Sequence, residues 1–309
     1  MIEIKNLSKS FGKKEVLQNL SFNVKDGVAF GFLGRNGTGK TTTIRILMNI
    51  FREDSGEVLV NGTPAYEEKS RIGYLPEERG LYAKRKIREQ LIYLGRLKGL
   101  DPASLENEVL SKLDEMEALE YADVKLETLS KGNQQKIQLV ASLLGEPEVV
   151  VLDEPFSGLD PINAQILKKA IRRQVDLGKT VIFSSHQMAQ VEEFCDDICI
   201  INHGKSVISG NLNEIKRAYP RDRIYVKGSL AGTEAPQETL ASLPGVLSTE
   251  PFEDGWRIAL TDAGAKDHLF DALGSAKFSI DTFSVMEPTL EQIFVEKAGD
   301  PPAGTEAVQ

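Results

Sequence analysis

Apolar and polar residues change rhythm repeatedly along the first two-thirds of this chain. Met1–Lys5 alternates like a strand, and Val16–Val24 reads as a second strand closing on Lys25-Asp26-Gly27. Val28–Leu33 is a near-continuous apolar run, the pattern of a strand buried on both faces. A glycine-rich turn follows. Ile44, Leu47, Met48 and Phe51 then fall at i, i+3, i+4 and i+7, one face of a helix. Glu57–Val60 and Arg71–Tyr74 read as short strands. The stretch from about Lys86 to Tyr121 is helical in period, with Asp101-Pro102 as an internal break and a proline suited to a first turn. Ile137, Val140, Ala141 and Leu144 form a further helical stripe that Pro147 ends. Val149–Leu152 reads as a buried strand and Ile162–Leu177 as a helix ending at Gly178. A strand at Thr180–Ser184 and a helix at Gln187–Cys195 follow. This alternation predicts a mainly parallel sheet covered by helices.

The rhythm changes again near Ala218. Arg223–Lys227 reads as a strand, and a loop runs through Ala235-Pro236 to a short helix at Thr239–Leu243. Strands at Val246–Thr249 and Trp256–Leu260 flank Asp254-Gly255. A helix at Ala263–Leu273 and a strand at Phe278–Val285 complete a β-α-β-β-α-β order, the ferredoxin-like pattern. A last helix spans about Thr289–Lys297, and the tail Gly299–Gln309 is expected to be disordered.

Composition narrows the classes. The chain has 309 residues, 41% of them hydrophobic and 27% charged, which suits one large folded domain or two ordinary ones. The formal charge is −9, so non-specific nucleic-acid binding, which runs on excess Lys and Arg, is not expected. No apolar run approaches the roughly 18 residues of a membrane span, and the start does not resemble a signal peptide. Any spanning part must come from a partner. The 2 cysteines form no disulfide framework. Cys195 and Cys199, with only His203 near in sequence, read as small buried side chains rather than a zinc site.

Two motifs carry chemistry. Gly34-Arg35-Asn36-Gly37-Thr38-Gly39-Lys40-Thr41 matches G-x-x-x-x-G-K-[ST] in full, between a buried strand and an amphipathic helix. Its glycines let backbone N–H groups approach phosphate oxygens, and the helix N-terminus adds partial positive charge. Lys40 should reach the β- and γ-phosphates and Thr41 should hold Mg²⁺. In Val149–Glu154 four apolar residues end on two carboxylates, at the strand end where phosphates bind in such sheets. Asp153 suits Mg²⁺. Glu154 is placed to polarise an attacking water.

Leu129-Ser130-Lys131-Gly132-Asn133-Gln134-Gln135 precedes the Ile137 helix. With the two motifs above it resembles the signature of ATP-binding-cassette (ABC) ATPases, usually L-S-G-G-Q; Lys131 and Asn133 depart from that pattern. The resemblance implies a P-loop cassette over residues 1–217. Its parts are a mainly parallel α/β sheet, an antiparallel subdomain and a helical subdomain at about 84–145. A C-terminal ferredoxin-like α+β accessory domain follows at 218–298.

The resemblance also implies roles. Phe11 would stack on adenine, with Gly34, Asn36, Gly37, Thr38, Gly39, Lys40, Thr41 and Thr42 around the phosphates. Ser130, Gly132 and Gln134 would meet the γ-phosphate held by the other subunit of a head-to-tail dimer. Ser157-Gly158-Leu159-Asp160 resembles the D-loop, and His186 the switch histidine that touches the γ-phosphate. Glu77 stands where the family usually has a glutamine, so it either ligates or orients Mg²⁺ or serves only the coupling loop. Gly80-Leu81-Tyr82 belongs to the expected permease contact.

The layout resembles the ATPase subunits of Nat-type sodium exporters and related drug or antibiotic exporters. Its implied cofactors are ATP and Mg²⁺. Its implied partners are a second copy or a related subunit and an integral membrane permease, on the cytoplasmic face of the membrane. The rival is a soluble ABC ATPase of translation or DNA maintenance, disfavoured by the single cassette and the absence of a long inserted coiled coil. Divided at residue 217, the charge is −1 for the cassette and −8 for the remainder. The acidity therefore belongs to the accessory domain.

Overall fold

A computed structural model of the chain describes residues 1–67, 72–78, 80–230, 233–234 and 237–298. Arg71, Arg79, the Ala235-Pro236 loop and the tail from Gly299 lie outside the described residues. The chain divides into two compact units: Met1–Leu212 together with residues from Phe294 onward, and Asn213–Ile293.

The first unit opens with two long strands, β1 (Ile2–Phe11) and β2 (Lys14–Val24), paired antiparallel. Five consecutive buried residues form β3 (Ala29–Leu33), and the glycine-rich loop leads into α1 (Lys40–Leu47). The α1 helix is one turn shorter than the apolar stripe suggests. Met48 is its C-cap and Asn49 adopts a left-handed φ of 52°. Asn tolerates that region because its short polar side chain can bond locally. Phe51 therefore leaves the helix and packs against the core from a turn.

β4 (Ser55–Val60) and the two-residue β5 (Thr63–Pro64) join β1 and β2 in one sheet of order β2-β1-β4-β5. β6 (Ile72–Leu75) precedes the helical region α2 (Ile87–Leu97), α3 (Pro102–Glu115) and α4 (Lys131–Leu143). The Asp101-Pro102 break behaves as expected: the Asp101 carboxylate accepts from the Ala103 N–H at 3.2 Å and Pro102 is the first helical residue. The Lys98 ammonium closes the far end of α4, donating to the carbonyls of Ala141 and Leu144 at 3.1 and 3.0 Å. Burial lowers the pKa of Lys98.

β7 (Val149–Asp153), α5 (Pro161–Asp176), β8 (Thr180–Ser185), α6 (Met188–Phe194), β9 (Asp197–Asn202) and β10 (Lys205–Asn211) complete the unit. The second sheet has the order β10-β9-β3-β8-β7-β6. Its β3/β9, β3/β8, β7/β8 and β6/β7 pairs are parallel and its β9/β10 pair is antiparallel. Every residue of β3, β7, β8 and β9 is buried. The β9–β10 hairpin was not indicated by apolar period. His203 and Gly204 form its tight turn with φ of 46° and 75°, as a two-residue hairpin requires. His203 is thus a turn residue, and both cysteines are buried and free. Phe22 of β2 stacks on Phe30 and Phe32 of β3 at 5.5 and 5.1 Å, joining the two sheets through one core.

The second unit begins at α7 (Leu212–Arg217), whose first residue still groups with the first unit. Its strands are β11 (Arg223–Leu230), β12 (Thr233–Glu234), β13 (Val246–Phe252), β14 (Gly255–Leu260) and β15 (Phe278–Val285). Its helices are α8 (Gln237–Ala241) and α9 (Ala265–Ser275). β11 pairs antiparallel with β14 and β15, and β14 with β13, giving the spatial order β15-β11-β14-β13. Ile224, Val226, Ile258 and Leu260 from the strands pack with Leu240, Leu269 and Leu273 from the helices. α10 (Leu290–Ala298) ends the described chain. No helix among the described residues is long and apolar enough to cross a membrane.

Candidate functional site

Parallel pairing brings the carboxyl ends of β3, β6, β7 and β8 to one edge of the sheet. The loop after β3 folds over the start of α1. Gly39 has φ of +111°, and a Cβ there would stand 2.5 Å from Leu17 Cδ2, so only glycine fits. Thr38 closes the turn, its hydroxyl donating to the Arg35 carbonyl at 2.8 Å. No side chain caps α1, so its first N–H groups remain available to an anion. The buried Lys40 ammonium donates to the carbonyls of Gly34 and Arg35 at 2.6 and 3.3 Å. Burial lowers its pKa, against the opposing pull of Glu154, Asp153 and Glu77.

At the end of β7, Asp153 is 0% exposed and pairs in register with Ser184, whose buried hydroxyl neighbours its carboxylate without a well-formed hydrogen bond. Burial pushes the Asp153 carboxyl above its ordinary range, opposed by the Ser184 hydroxyl and reinforced by the Glu77 and Glu154 charges. Glu154 adopts a left-handed φ of 49° while its N–H donates to the Ser184 carbonyl at 3.0 Å. Its Oε1 accepts the His186 N–H at 2.9 Å and lies 2.7 Å from His186 Nδ1, and Ser185 donates to Oε2 at 3.2 Å. An ionised carboxylate only accepts, so Nδ1 carries the proton and Nε2 is left for another partner. The His186 side chain is 42% exposed and can present that nitrogen.

A recess of 460 Å³ gathers these parts. It is lined by Phe11, Lys14 and Val16 at one end, by Asn36, Gly37, Gly39, Lys40, Thr41 and Thr42 along its length, and by Glu77, Asp153 and Glu154. Most of the residues singled out in the sequence for one chain's half of the site thus meet in one place. Lys14 and Val16 were not singled out; the register pairing Phe11 with Lys14 puts those two on one face of the hairpin.

Ser130, Gly132 and Gln134 do not line that recess. The Ser130 hydroxyl caps α4, accepting the Asn133 N–H at 3.3 Å. The Gln134 amide donates to the Leu126 and Leu129 carbonyls at 3.2 and 3.0 Å, holding the loop ahead of the helix. A Cβ on Gly132 would lie 2.5 Å from Asn163 Nδ2, and that amide donates to Asp160 at 2.6 Å. The signature and the Asp160 segment are therefore packed together, through an asparagine the sequence did not mark. A second recess of 390 Å³ lies on the helical region, lined by Tyr82, Arg85, Glu89, Gln90 and Tyr93. Gln90 accepts the Tyr82 N–H at 3.0 Å and fixes that edge.

Ser185 was also missed in the sequence, although it directly precedes His186 at a strand end. Its bond to Glu154 makes it a positioning residue. Ser185→Ala is expected to slow any turnover that uses Glu154 about 10- to 100-fold, the cost of losing a hydrogen bond to a charged group, with KM little changed. Steady-state nucleotide-hydrolysis kinetics check this, and an unchanged turnover would contradict it.

A family model described as "ABC transporter" matches residues 17–157, and one described as "ATP-binding protein DrrA1-3-like, C-terminal domain" matches residues 210–298. The chain is 39% identical to the uncharacterized ABC transporter ATP-binding protein YhaQ of Bacillus subtilis (strain 168), over 97% of this chain and 99% of that one. It is 37% identical to the Nod factor export ATP-binding protein I of Sinorhizobium fredii (strain NBRC 101917 / NGR234), over 77% and 75% of the two chains. Among solved structures, an ATP-binding subunit of an ABC transporter superposes with a TM-score of 0.66 at 29% identity, covering 71% of this chain and 92% of that one.

Proposed function

This chain belongs to the ATP-binding proteins of ABC transporters, which hydrolyse ATP to power transport, and from that premise we propose that two copies close head to tail over two ATP molecules. The observation that carries the reading is the recess itself, where an uncapped helix start, Lys40, two strand-end carboxylates and an exposed aromatic converge. Phe11 stacks on the base. The N–H groups of the 34–39 loop and α1 bind the β- and γ-phosphates together with Lys40. Ser130 and Gly132 of the second copy present the start of their α4 to the same γ-phosphate, where the helix N-terminus adds positive character.

Glu154 accepts a proton from water as the water oxygen attacks the γ-phosphorus and the bond to the β-phosphate oxygen breaks. His186 holds Glu154 through its backbone N–H and Nδ1, and it donates to a γ-phosphate oxygen in the form that also carries a proton on Nε2. The buried Asp153 oxygens, which lack a well-formed hydrogen bond and have Glu77 near them, fit a hard divalent cation. No group of three or more His, Cys, Asp or Glu among the described residues forms a complete metal cage. Thr41 and Asp153 would hold Mg²⁺, which binds through one or two carboxylates and keeps phosphate and water in the rest of its shell. Bound there, Mg²⁺ supplies charge neutralisation of the phosphates.

The transported cargo passes through a separate permease, of exporter type as in the Nod factor relative. The recess at Tyr82 and Tyr93, next to the Glu77 loop, is the contact through which closure reaches that permease. The chain then works on the cytoplasmic face of the membrane. Its acidic residues beyond 217 are repelled by anionic lipid. A role on ribosomes or DNA finds no support in the relatives described above. Affinity purification of the tagged chain from detergent-solubilised membranes tests the assignment. An integral membrane protein is expected to co-purify in stoichiometric amount, and co-sedimentation with ribosomes instead would overturn it.

A further inference from the structure

Phe11 is the base platform in the reading above, yet it is 45% exposed and stands at the last position of β1. An exposed ring at a strand end does not keep one orientation unaided, because free rotamers cost binding entropy when they are fixed. Its neighbours supply the restraint. The Phe51 ring meets it edge-on, with centroids 5.4 Å apart and planes at 70°. Phe51 is itself packed against the main core. The Arg45 guanidinium lies 5.7 Å from the Phe51 centroid, and the Phe51 N–H donates to the Arg45 carbonyl at 3.1 Å.

A second contact comes from Lys9, whose ammonium is 5.6 Å from the Phe11 centroid and pairs with Asp54 at 2.6 Å. The other Asp54 oxygen accepts the Ser10 N–H at 2.6 Å, which pins the backbone just before Phe11. Phe11 lines the recess, whereas Lys9, Phe51 and Asp54 are not among its lining residues. The restraints therefore act from outside and leave the recess side of the ring open.

We infer that Phe51 is the positioning residue of the base platform. It fixes Phe11 for stacking on a purine, and Arg45 ties it to α1, the helix that starts at Lys40. One rigid element then sets the spacing between the base end and the phosphate end of the site. The sequence shows Phe51 only as the fourth member of an apolar helix stripe. Its departure from the helix at Asn49 is what frees it for this contact. The inference rests on the nucleotide reading above, and the two can fail separately.

The test compares ADP with inorganic tripolyphosphate, which has no base, on the purified full-length chain with Mg²⁺ by calorimetry. Phe51→Leu is expected to weaken ADP about 3- to 10-fold, the range of an aromatic pair, and to leave tripolyphosphate unchanged. Steady-state assays should show the same rise in KM for ATP at an unchanged kcat. Phe51→Tyr, which keeps the ring edge, should restore native affinity. Should Phe51→Leu unfold the chain, Asp54→Asn loosens the same platform from the surface and should weaken ADP alone. If Phe11→Ala weakens ADP and neither Phe51→Leu nor Asp54→Asn does, the positioning role is wrong and the nucleotide site stands. Equal losses for ADP and tripolyphosphate would reduce Phe51 to a packing residue and overturn the inference. If Phe11→Ala leaves ADP affinity unchanged, the base platform itself is wrong.

Discussion

Glu154→Gln is expected to bind ATP like the native chain and to hydrolyse it about 10²–10⁴-fold more slowly, the usual contribution of a general base. The substitution is nearly isosteric. Its remaining carbonyl oxygen can still accept the His186 N–H, now at 2.9 Å on Oε1. The strained backbone at φ 49° is unaltered, and the fold that presents the residue survives. What disappears is the carboxylate that takes the proton from water. Single-turnover hydrolysis together with equilibrium ATP binding separates the two effects. Native turnover in this variant would remove Glu154 from the chemistry and leave the recess as a binding site only.

Ser130→Arg is expected to abolish turnover while leaving ATP binding by the single chain intact. Ser130 lies outside the recess formed by its own chain, so it acts in hydrolysis only if a second copy presents it. An arginine at that point blocks the close approach of the helix start. Removing one preorganised donor from a developing charge typically costs about 10²–10³-fold in rate, and blocking approach costs at least that. Because Ser130 also caps α4, losing the cap alone would destabilise the chain by about 0.5–2 kcal/mol. Ser130→Asp separates these roles: aspartate caps a helix as well as serine does but repels a phosphate. An Asp variant with native thermal stability and no ATPase would assign the loss to the phosphate contact. Native ATPase in both variants would leave the signature a helix cap and no more.

The central sheet was legible because strands buried on both faces read as unbroken apolar runs, as Ala29–Leu33 and Val149–Leu152 do. The nucleotide loop and the acidic strand end were legible because each is contiguous in sequence. The β9–β10 hairpin was not, since its turn uses His203-Gly204 rather than an Asn-Gly signal. The end of α1 departs from the apolar pattern because Phe51 continues the helical period after the backbone has left the helix at Asn49. That left-handed step is invisible to hydrophobic patterning.

The site shows the same division. Ser185 and Asn163 make their contacts across the fold, which have no sequence period, while Lys14 and Val16 line the recess from the strand that follows Phe11. Ser185 reaches Glu154 from a neighbouring strand, and Asn163 reaches Gly132 from another helix. Gln134 adds a role that its place in the signature does not show: its amide nitrogen holds its own loop.

The ATP-closed pair is tested most directly by the solution mass of the Glu154→Gln chain, measured by light scattering at one protein concentration with Mg²⁺-ATP or Mg²⁺-ADP. Two-fold sharing of each ATP between a phosphate loop and the opposite signature predicts twice the chain's mass with ATP and a single chain with ADP. Adding Ser130→Arg to the same protein should return it to a single chain although ATP still binds. A single chain at saturating ATP, or a dimer that forms equally with ADP and persists with Ser130→Arg, would contradict a site completed by the second copy.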